Sequence, residues 1–229
     1  CRCAPARHGS AIGGGSLITV DMGDRRVCYT IATPGEHHVI NSLAVMAAVR
    51  AVKGDLGAAG VALAEMGGLP GRGARLEIDV PGGEPDEDGL RKALLIDESY
   101  NANPASMRAT LAQLGRTPAR RRIAVLGAMK ELGSHGPGYH AALSAPLREA
   151  HVDYVILVGE EMTALAEELG KSAASELGKT PPFAHCTNVG EAVDALRAFG
   201  LERDDAILVK GSNSVGLASL VTALSKQEG

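Results

Sequence analysis

Asp97-Glu-Ser-Tyr-Asn-Ala-Asn-Pro-Ala-Ser-Met107 follows directly on the apolar run Ala93-Leu-Leu-Ile96, and the join between them decides the fold. Apolar residues giving way to a burst of short polar ones read as a buried strand reaching its carboxyl end. Pro104 suits the first turn of a helix, where its missing N–H costs nothing, and Asn103 before it is a good cap. Asp97, Asn101, Asn103 and Ser106 thereby fall at the carboxyl end of a strand, beside a helix N-terminus. In open α/β sheets that is where ligands bind.

Outward from this join the pattern alternates. Strands are expected at 74–80, 93–97, 122–127, 154–158, 183–186 and 205–209, and helices at 104–115, 138–150, 162–172, 188–199 and 213–226. Such alternation with short connections predicts an α/β domain, a mainly parallel sheet with helices on both faces. The acidic segment Gly82-Gly-Glu-Pro-Asp-Glu-Asp-Gly89 reads as a solvated loop between the first two strands. Upstream, 16–20 and 26–32 alternate as a hairpin around Met22-Gly-Asp-Arg25. Residues 37–53 carry Val39, Ile40, Leu43, Val45, Met46, Val49 and Val52 almost all round, so a well-buried helix is expected there. A second helix, 55–66, stops at Gly67-Gly68, and Leu69-Pro-Gly-Arg-Gly-Ala-Arg75 has linker character. The domain boundary is placed near residue 73, giving 1–72 and 73–229.

Composition narrows the function. The 229 residues are 45% apolar and only 3% aromatic, with a net charge of −4. A chain with no basic footprint and few rings for base stacking argues against nucleic-acid binding. No apolar run approaches the roughly 20 residues of a membrane span, and no secretory signal precedes the first strand. Cys1, Cys3, Cys28 and Cys186 are scattered, which favours a reduced, cytoplasmic setting and no metal site. The chain opens on Cys, its first ten residues carry no periodicity, and it reads as a piece of something longer.

Two further junctions resemble the first. Ala206-Ile-Leu-Val-Lys-Gly-Ser-Asn-Ser-Val-Gly216 runs a strand into Lys210-Gly-Ser212 and then a helix. Free backbone N–H groups, a partial positive dipole and an ammonium would capture a carboxylate or phosphate; a plain turn and cap is the alternative. Leu126-Gly-Ala-Met-Lys-Glu-Leu-Gly133, followed by His140, is glycine-bracketed but has no Gly-x-Gly-x-x-Gly dinucleotide fingerprint. Glu131 there suits a cation, an amine or plain solvation. His37 and His38 point about 100° apart on a helix and cannot easily chelate one metal. Capping or base recognition stands beside a structural role. His185-Cys186 reads as core strand. Nowhere does Gly-x-x-x-x-Gly-Lys-Ser/Thr occur, so a triphosphate would have to be gripped elsewhere.

Taken together these segments resemble the Mur ligases, and within them the branch that joins D-alanyl-D-alanine to UDP-N-acetylmuramoyl-tripeptide. Pro34-Gly-Glu-His-His-Val-Ile-Asn-Ser-Leu-Ala44 is similar to that family's Gly-x-His-Asn-x-x-Asn-x-Leu-Ala segment, and Gly71-Arg72 to its Gly-Arg hinge. The Asp97–Met107, Gly127–His140 and Lys210–Ser212 motifs match in order and approximate spacing, over roughly residues 16–226. The resemblance implies a dinucleotide-binding-like C-terminal domain behind the tail of a central ATPase domain. It implies ATP and Mg2+ as cofactors, the magnesium held mostly by the part not in this chain, and an acyl-phosphate intermediate. It further implies nucleotide contacts from His37, His38, Asn41, Arg72, Asp97 and Asn101, and substrate contacts from Asn103, Ser106, Lys210, Ser212 and Asn213. The chain departs from the family pattern in three places. His38 stands where its first Asn is usual, Asn213 replaces a frequent Arg, and Leu217-Ala-Ser219 replaces acidic residues. Tyr100-Asn-Ala-Asn-Pro104 argues against a folylpolyglutamate or cyanophycin-type synthetase. A non-catalytic nucleotide- or peptide-binding module derived from such a ligase remains the other reading.

Overall fold

The computed structural model describes residues 7–10, 15–32, 35–66, 70–80, 92–174 and 180–226. The chain divides into two compact units, Cys1–Leu69 and Pro70–Gly229. Expected near residue 73, the division falls ahead of Gly71 for a physical reason. The Gly71 N–H donates to Asp97 Oδ2 at 2.7 Å and its carbonyl accepts from the Tyr100 N–H at 3.1 Å, so the Gly-Arg-Gly segment is tied into the second unit. The acidic loop 82–89, Gly67-Gly68, Cys1 and Cys3 lie outside the described residues.

The first unit is an antiparallel sheet of β1 (Arg7–Ser10), β2 (Ser16–Asp21) and β3 (Arg26–Ile31) with two helices, α1 (Glu36–Ala51) and α2 (Leu56–Glu65). The β2–β3 turn forms as its sequence requires. Gly23 takes φ +92, the Asp21 carboxylate accepts its N–H at 2.8 Å, and Met22 N–H bonds Arg25 C=O. Ile18, Val20, Tyr29, Ile31, Val39 and Met46 form the core, and the Tyr29 hydroxyl meets Ser42 Oγ at 3.0 Å inside it. The expectation that α1 is well buried does not hold. Val39, Ser42 and Met46 are buried at helical spacing, while Ile40, Val45 and Val52 are 59, 44 and 79% exposed. A three-stranded sheet presents one face, and only one stripe of an evenly apolar helix can meet it.

The second unit holds a six-stranded sheet in the order β4-β5-β9-β6-β7-β8. The strands are Ala74–Asp79, Lys92–Glu98, Asp205–Lys210, Arg121–Gly127, Tyr154–Val158 and Phe183–Cys186 in that order. β4 runs antiparallel to β5, and the other pairs are parallel. Strand parity sorts the apolar residues. Ile96, Ala124, Leu126, Val155, Leu157, Ala206 and Leu208 pack with α3 (Pro104–Arg116), α5 (Ser144–Glu149) and α6 (Thr163–Ala174). Leu95, Ile123, Val125, Ile156, Val158, Ile207 and Val209 pack with α7 (Val189–Phe199) and α8 (Ala218–Ser225). The sheet is covered on both faces, which explains why its strands are continuously apolar rather than alternating.

Two expected helices are broken. In place of 138–150 stand a short 3-10 turn (Gly133–His135), α4 (Gly136–Ala141) and α5. Pro146 has no N–H to give the Ala142 carbonyl, so one helix cannot run through. In place of 213–226, a 3-10 turn at Asn213–Val215 ends on Gly216 at φ +80, and α8 starts afresh. Among the described residues no helix is long and apolar enough to cross a membrane.

Candidate functional site at the carboxyl edge of the sheet

Helices leave the sheet toward opposite faces after β9 and after its neighbours β5 and β6, so a crevice opens at their carboxyl ends. Glu98 and Lys210 are register partners across β5 and β9, and Leu126 is the partner of Lys210 on β6. Strand parity puts both charges on the α3 face. Lys210 is only 2% exposed, and its Nζ donates to the Asn101 carbonyl at 2.9 Å and lies 3.5 Å from Glu98 Oε2. Burial pushes its pKa below the ordinary lysine value, and Glu98 pulls it back. The ammonium is therefore not offered to an incoming anion. It holds the turn after β5 onto the end of β9.

Asp97, of opposite parity, is also spoken for. It is 4% exposed and accepts from the Gly71 N–H, the Ser99 N–H at 3.1 Å and the Ser99 hydroxyl at 2.6 Å. Its own carbonyl accepts from Gly73 N–H at 2.8 Å. Gly71 needs to be glycine: its φ is +74, and a Cβ there would lie 2.8 Å from Tyr100 Cβ. The same staple presents Arg72, exposed, with its guanidinium 4.1 Å from the Tyr100 ring centroid. Asn103 and Ser106 form a complete capping box on α3, Ser106 N–H to Asn103 Oδ1 at 2.8 Å and Asn103 N–H to Ser106 Oγ at 3.1 Å. Asn101, Asn103 and Asn213 are exposed at this edge.

The turn after β6 is held by the segment just past β9. Ser212 N–H donates to Ala128 C=O and the Lys130 N–H to Ser212 Oγ, each at 3.0 Å. Between them the Met129 N–H donates to His140 Nε2 at 2.9 Å. Lys130 ion-pairs with Glu161, which holds that carboxyl below its usual range. Gly127 and Gly211 let the two turns touch; a Cβ on Gly211 would stand 3.0 Å from Gly127 Cα and 2.8 Å from Leu217 Cδ1. Gly211→Ala is accordingly expected to destabilise the unit by about 1–2 kcal/mol, since a backbone must give way. The shift in its urea midpoint, followed through the Leu208 amide, measures this.

His37, His38 and Asn41 belong to the first unit, on the first turns of α1. His38 is half-buried and Asn41 exposed, and the His37 side chain lies outside the described residues. The expected residues of the second unit, Arg72, Asp97, Asn101, Asn103, Ser106, Lys210, Ser212 and Asn213, come together along one edge. Glu98, Ser99 and Tyr100 are the site residues missed from sequence. A lysine closing the apolar run Ala206–Val209 calls for a counter-charge, which was the available signal for Glu98. Further along the edge a groove of 760 Å³ runs between Lys130, Gly159, Glu161, Asn188 and Ser214. Its far wall is the α7 terminus, capped through Asn188 and Glu191. Among the described residues no group of three His, Cys, Asp or Glu side chains converges. Chemically this is a positioning edge: exposed amides and one exposed ion pair, mounted on buried charges that hold the turns.

The family model for the Mur ligase, glutamate ligase domain matches residues 87–213, more than half of the chain. The UDP-N-acetylmuramoyl-tripeptide–D-alanyl-D-alanine ligase of Synechocystis sp. is 34% identical over 169 residues, covering 72% of this chain and 36% of that protein. MurF from Acinetobacter baumannii superposes with a TM-score of 0.73 at 22% identity, over 98% of this chain and 45% of that one. MurF from Thermotoga maritima in complex with ADP gives 0.69 at 19%, over 96% and 45%. The structural likenesses bear on the fold, and the chain spans less than half the length of the proteins it matches. With its mostly parallel sheet, its three motifs on one edge and the family match over that sheet, the chain belongs to the Mur ligase family, in its C-terminal domain.

Proposed function

We propose that this chain forms the C-terminal part of a cytoplasmic, ATP-dependent ligase that adds D-alanyl-D-alanine to a UDP-N-acetylmuramoyl-tripeptide in peptidoglycan precursor synthesis. One observation carries the reading. The Asp97–Ser106, Gly127–His140 and Lys210–Ser212 segments lie far apart in the sequence and line one sheet edge, and the relative sharing 34% identity is a ligase of that name. In such a reaction a tripeptide carboxylate oxygen attacks the γ-phosphorus of ATP and ADP leaves. The dipeptide amine then attacks the acyl carbon, phosphate leaves, and an amide bond remains. His37, His38 and Asn41 would meet the adenine and Arg72 the ribose or phosphates. Asn101, Asn103, Ser212 and Asn213 would position nucleotide and dipeptide, with Lys210, Asp97 and Ser106 holding the turns that carry them. Catalysis of this kind is positioning and charge stabilisation. The sequence carries no Gly-x-x-x-x-Gly-Lys-Ser/Thr loop, which supports a triphosphate being gripped elsewhere than by these residues.

Calorimetric titration tests the assignment. D-alanyl-D-alanine is expected to bind saturably, with ADP present or absent, and L-alanyl-L-alanine to give no saturable heat. Equal heats for the two, or none for either at millimolar ligand, would remove the dipeptide site from this domain. The chain alone is expected to release no phosphate from ATP. Turnover above background would show that the phosphates are gripped here after all.

A further inference from the structure

His140 is 2% exposed and sits on α4. Its Nε2 accepts the Met129 N–H, so the ring is neutral with its proton on Nδ1. That Nδ1 is buried, with no well-formed hydrogen bond among the described residues; its polar neighbour is the Gly136 backbone, one turn back on α4. The bond to Met129 is the middle of three on consecutive residues. Ser212 takes the Ala128 carbonyl on one side and the Lys130 N–H on the other. A turn of three residues is thus fixed at its two ends by Ser212, just past β9, and at its centre by one imidazole. We propose that His140 is a positioning residue whose neutral ring latches the Ala128–Lys130 turn, and through it the Ser212 hydroxyl, and that protonation of the ring releases the latch.

The chemistry is one-way. An imidazolium has two donors and no acceptor, so the Met129 N–H would face another N–H and lose its partner in a dry setting. Burial holds the His140 pKa below its ordinary 6.5, while the Gly136 backbone and the Glu161 carboxylate draw it up and the Lys130 ammonium draws it down. Glu161, on the turn before α6, and Lys130, on the latched turn itself, are the charged groups acting on the ring, and they neutralise each other as an ion pair. The sign follows from the depressed value. The latch is intact above about 6.5, weakens as pH falls below it, and is lost as pH falls through the folded pKa.

The test reads the turn directly in the 229-residue chain, so its failure is separate from a failure of the ligase reading. Amide exchange of Met129 and Lys130 is measured from pH 7.5 to 4.5 and expressed as protection factors in wild type, His140→Gln and His140→Leu. Gln offers a neutral oxygen acceptor at every pH and Leu offers none. Wild type is expected to lose protection at Met129 about tenfold across the range, the worth of one buried hydrogen bond. His140→Gln should stay protected and pH-independent, and His140→Leu should be unprotected throughout, with the Leu208 amide protected in all three. A flat wild-type profile, a pH-dependent His140→Gln, or a protected Met129 in His140→Leu would each overturn the proposal.

Discussion

Lys210→Ala is expected to cost the second unit about 3 kcal/mol, because it removes one member of a buried pair and strands the other. Glu98 would be left at the end of β5 without its counter-charge, and the Asn101 carbonyl would lose the donor 2.9 Å away. The figure belongs at the low end of the range for broken buried pairs. The Glu98 side chain is 12% exposed, so water can reach it in part, and its 3.5 Å separation from Nζ is long. Lys210→Met keeps the aliphatic stem and loses only the charge, and should cost less; the pair Lys210→Met with Glu98→Gln should recover part of the loss. The midpoint of the unit's urea transition, followed at the Leu208 amide, reads all three. If Lys210→Ala left that midpoint unmoved and only weakened dipeptide binding, the ammonium would be a substrate contact and its burial incidental.

The result matters because lysine at the end of a strand invites the opposite reading. From sequence, Lys210-Gly-Ser212 before a helix has the elements of an anion site: a cation, free N–H groups and a dipole. The structure moves the cation inward, and strand parity explains the move. Ala206, Leu208 and Lys210 share a face, and the Lys210 register partner on that face is Glu98. Neither parity nor register was legible: the strand is continuously apolar, so no alternation marks its two faces, and register is set by pairing between β5 and β9, far apart in the chain. The same limit hid the Gly127–Gly211 contact, which unites two motifs recognised separately.

What could be read locally was read well. The strand ends, the Asn103 cap, the Pro104 start and the mostly parallel sheet follow from short-range patterns and stand in the structure. The failures cluster where a single residue overrules a period. Pro146 splits a helix that the apolar spacing would continue, and Gly216 in the left-handed region does so again. In the first unit the error was of another kind: the periodicity of α1 was seen correctly, and its burial was inferred without knowing how much sheet there was to cover it. Candidate site residues were found by type and place, while the direction each faces was decided by tertiary partners such as Ser99 and Gly71 for Asp97.

Asp97→Ala should likewise cost about 3 kcal/mol, and it separates two roles for the residue. Its carboxylate satisfies the buried N–H groups of Gly71 and Ser99 together with the Ser99 hydroxyl. Each N–H left without a partner costs about 1–3 kcal/mol, offset in part because a buried charge has also gone. Gly71 cannot readily find another acceptor, since its positive φ and its closeness to Tyr100 fix where the N–H points. Loss of the staple should therefore free the Gly71–Arg72–Gly73 segment and let the Arg72 guanidinium leave the Tyr100 ring. Asp97→Asn is the sharper variant. It keeps the shape and one acceptor oxygen, and should recover about half of the stability. Were Asp97 there only to receive ribose hydroxyls, both substitutions would leave the ligand-free protein as stable as before and reduce ADP binding alone. A lowered urea midpoint without ligand, with exchange rising at the Gly71 and Ser99 amides, is the outcome the geometry requires. It would also mean that any nucleotide reaching this edge meets a carboxylate already committed to holding the Gly71–Gly73 segment, so that Arg72, the exposed group the staple presents, becomes the residue whose loss should weaken nucleotide binding without moving the midpoint.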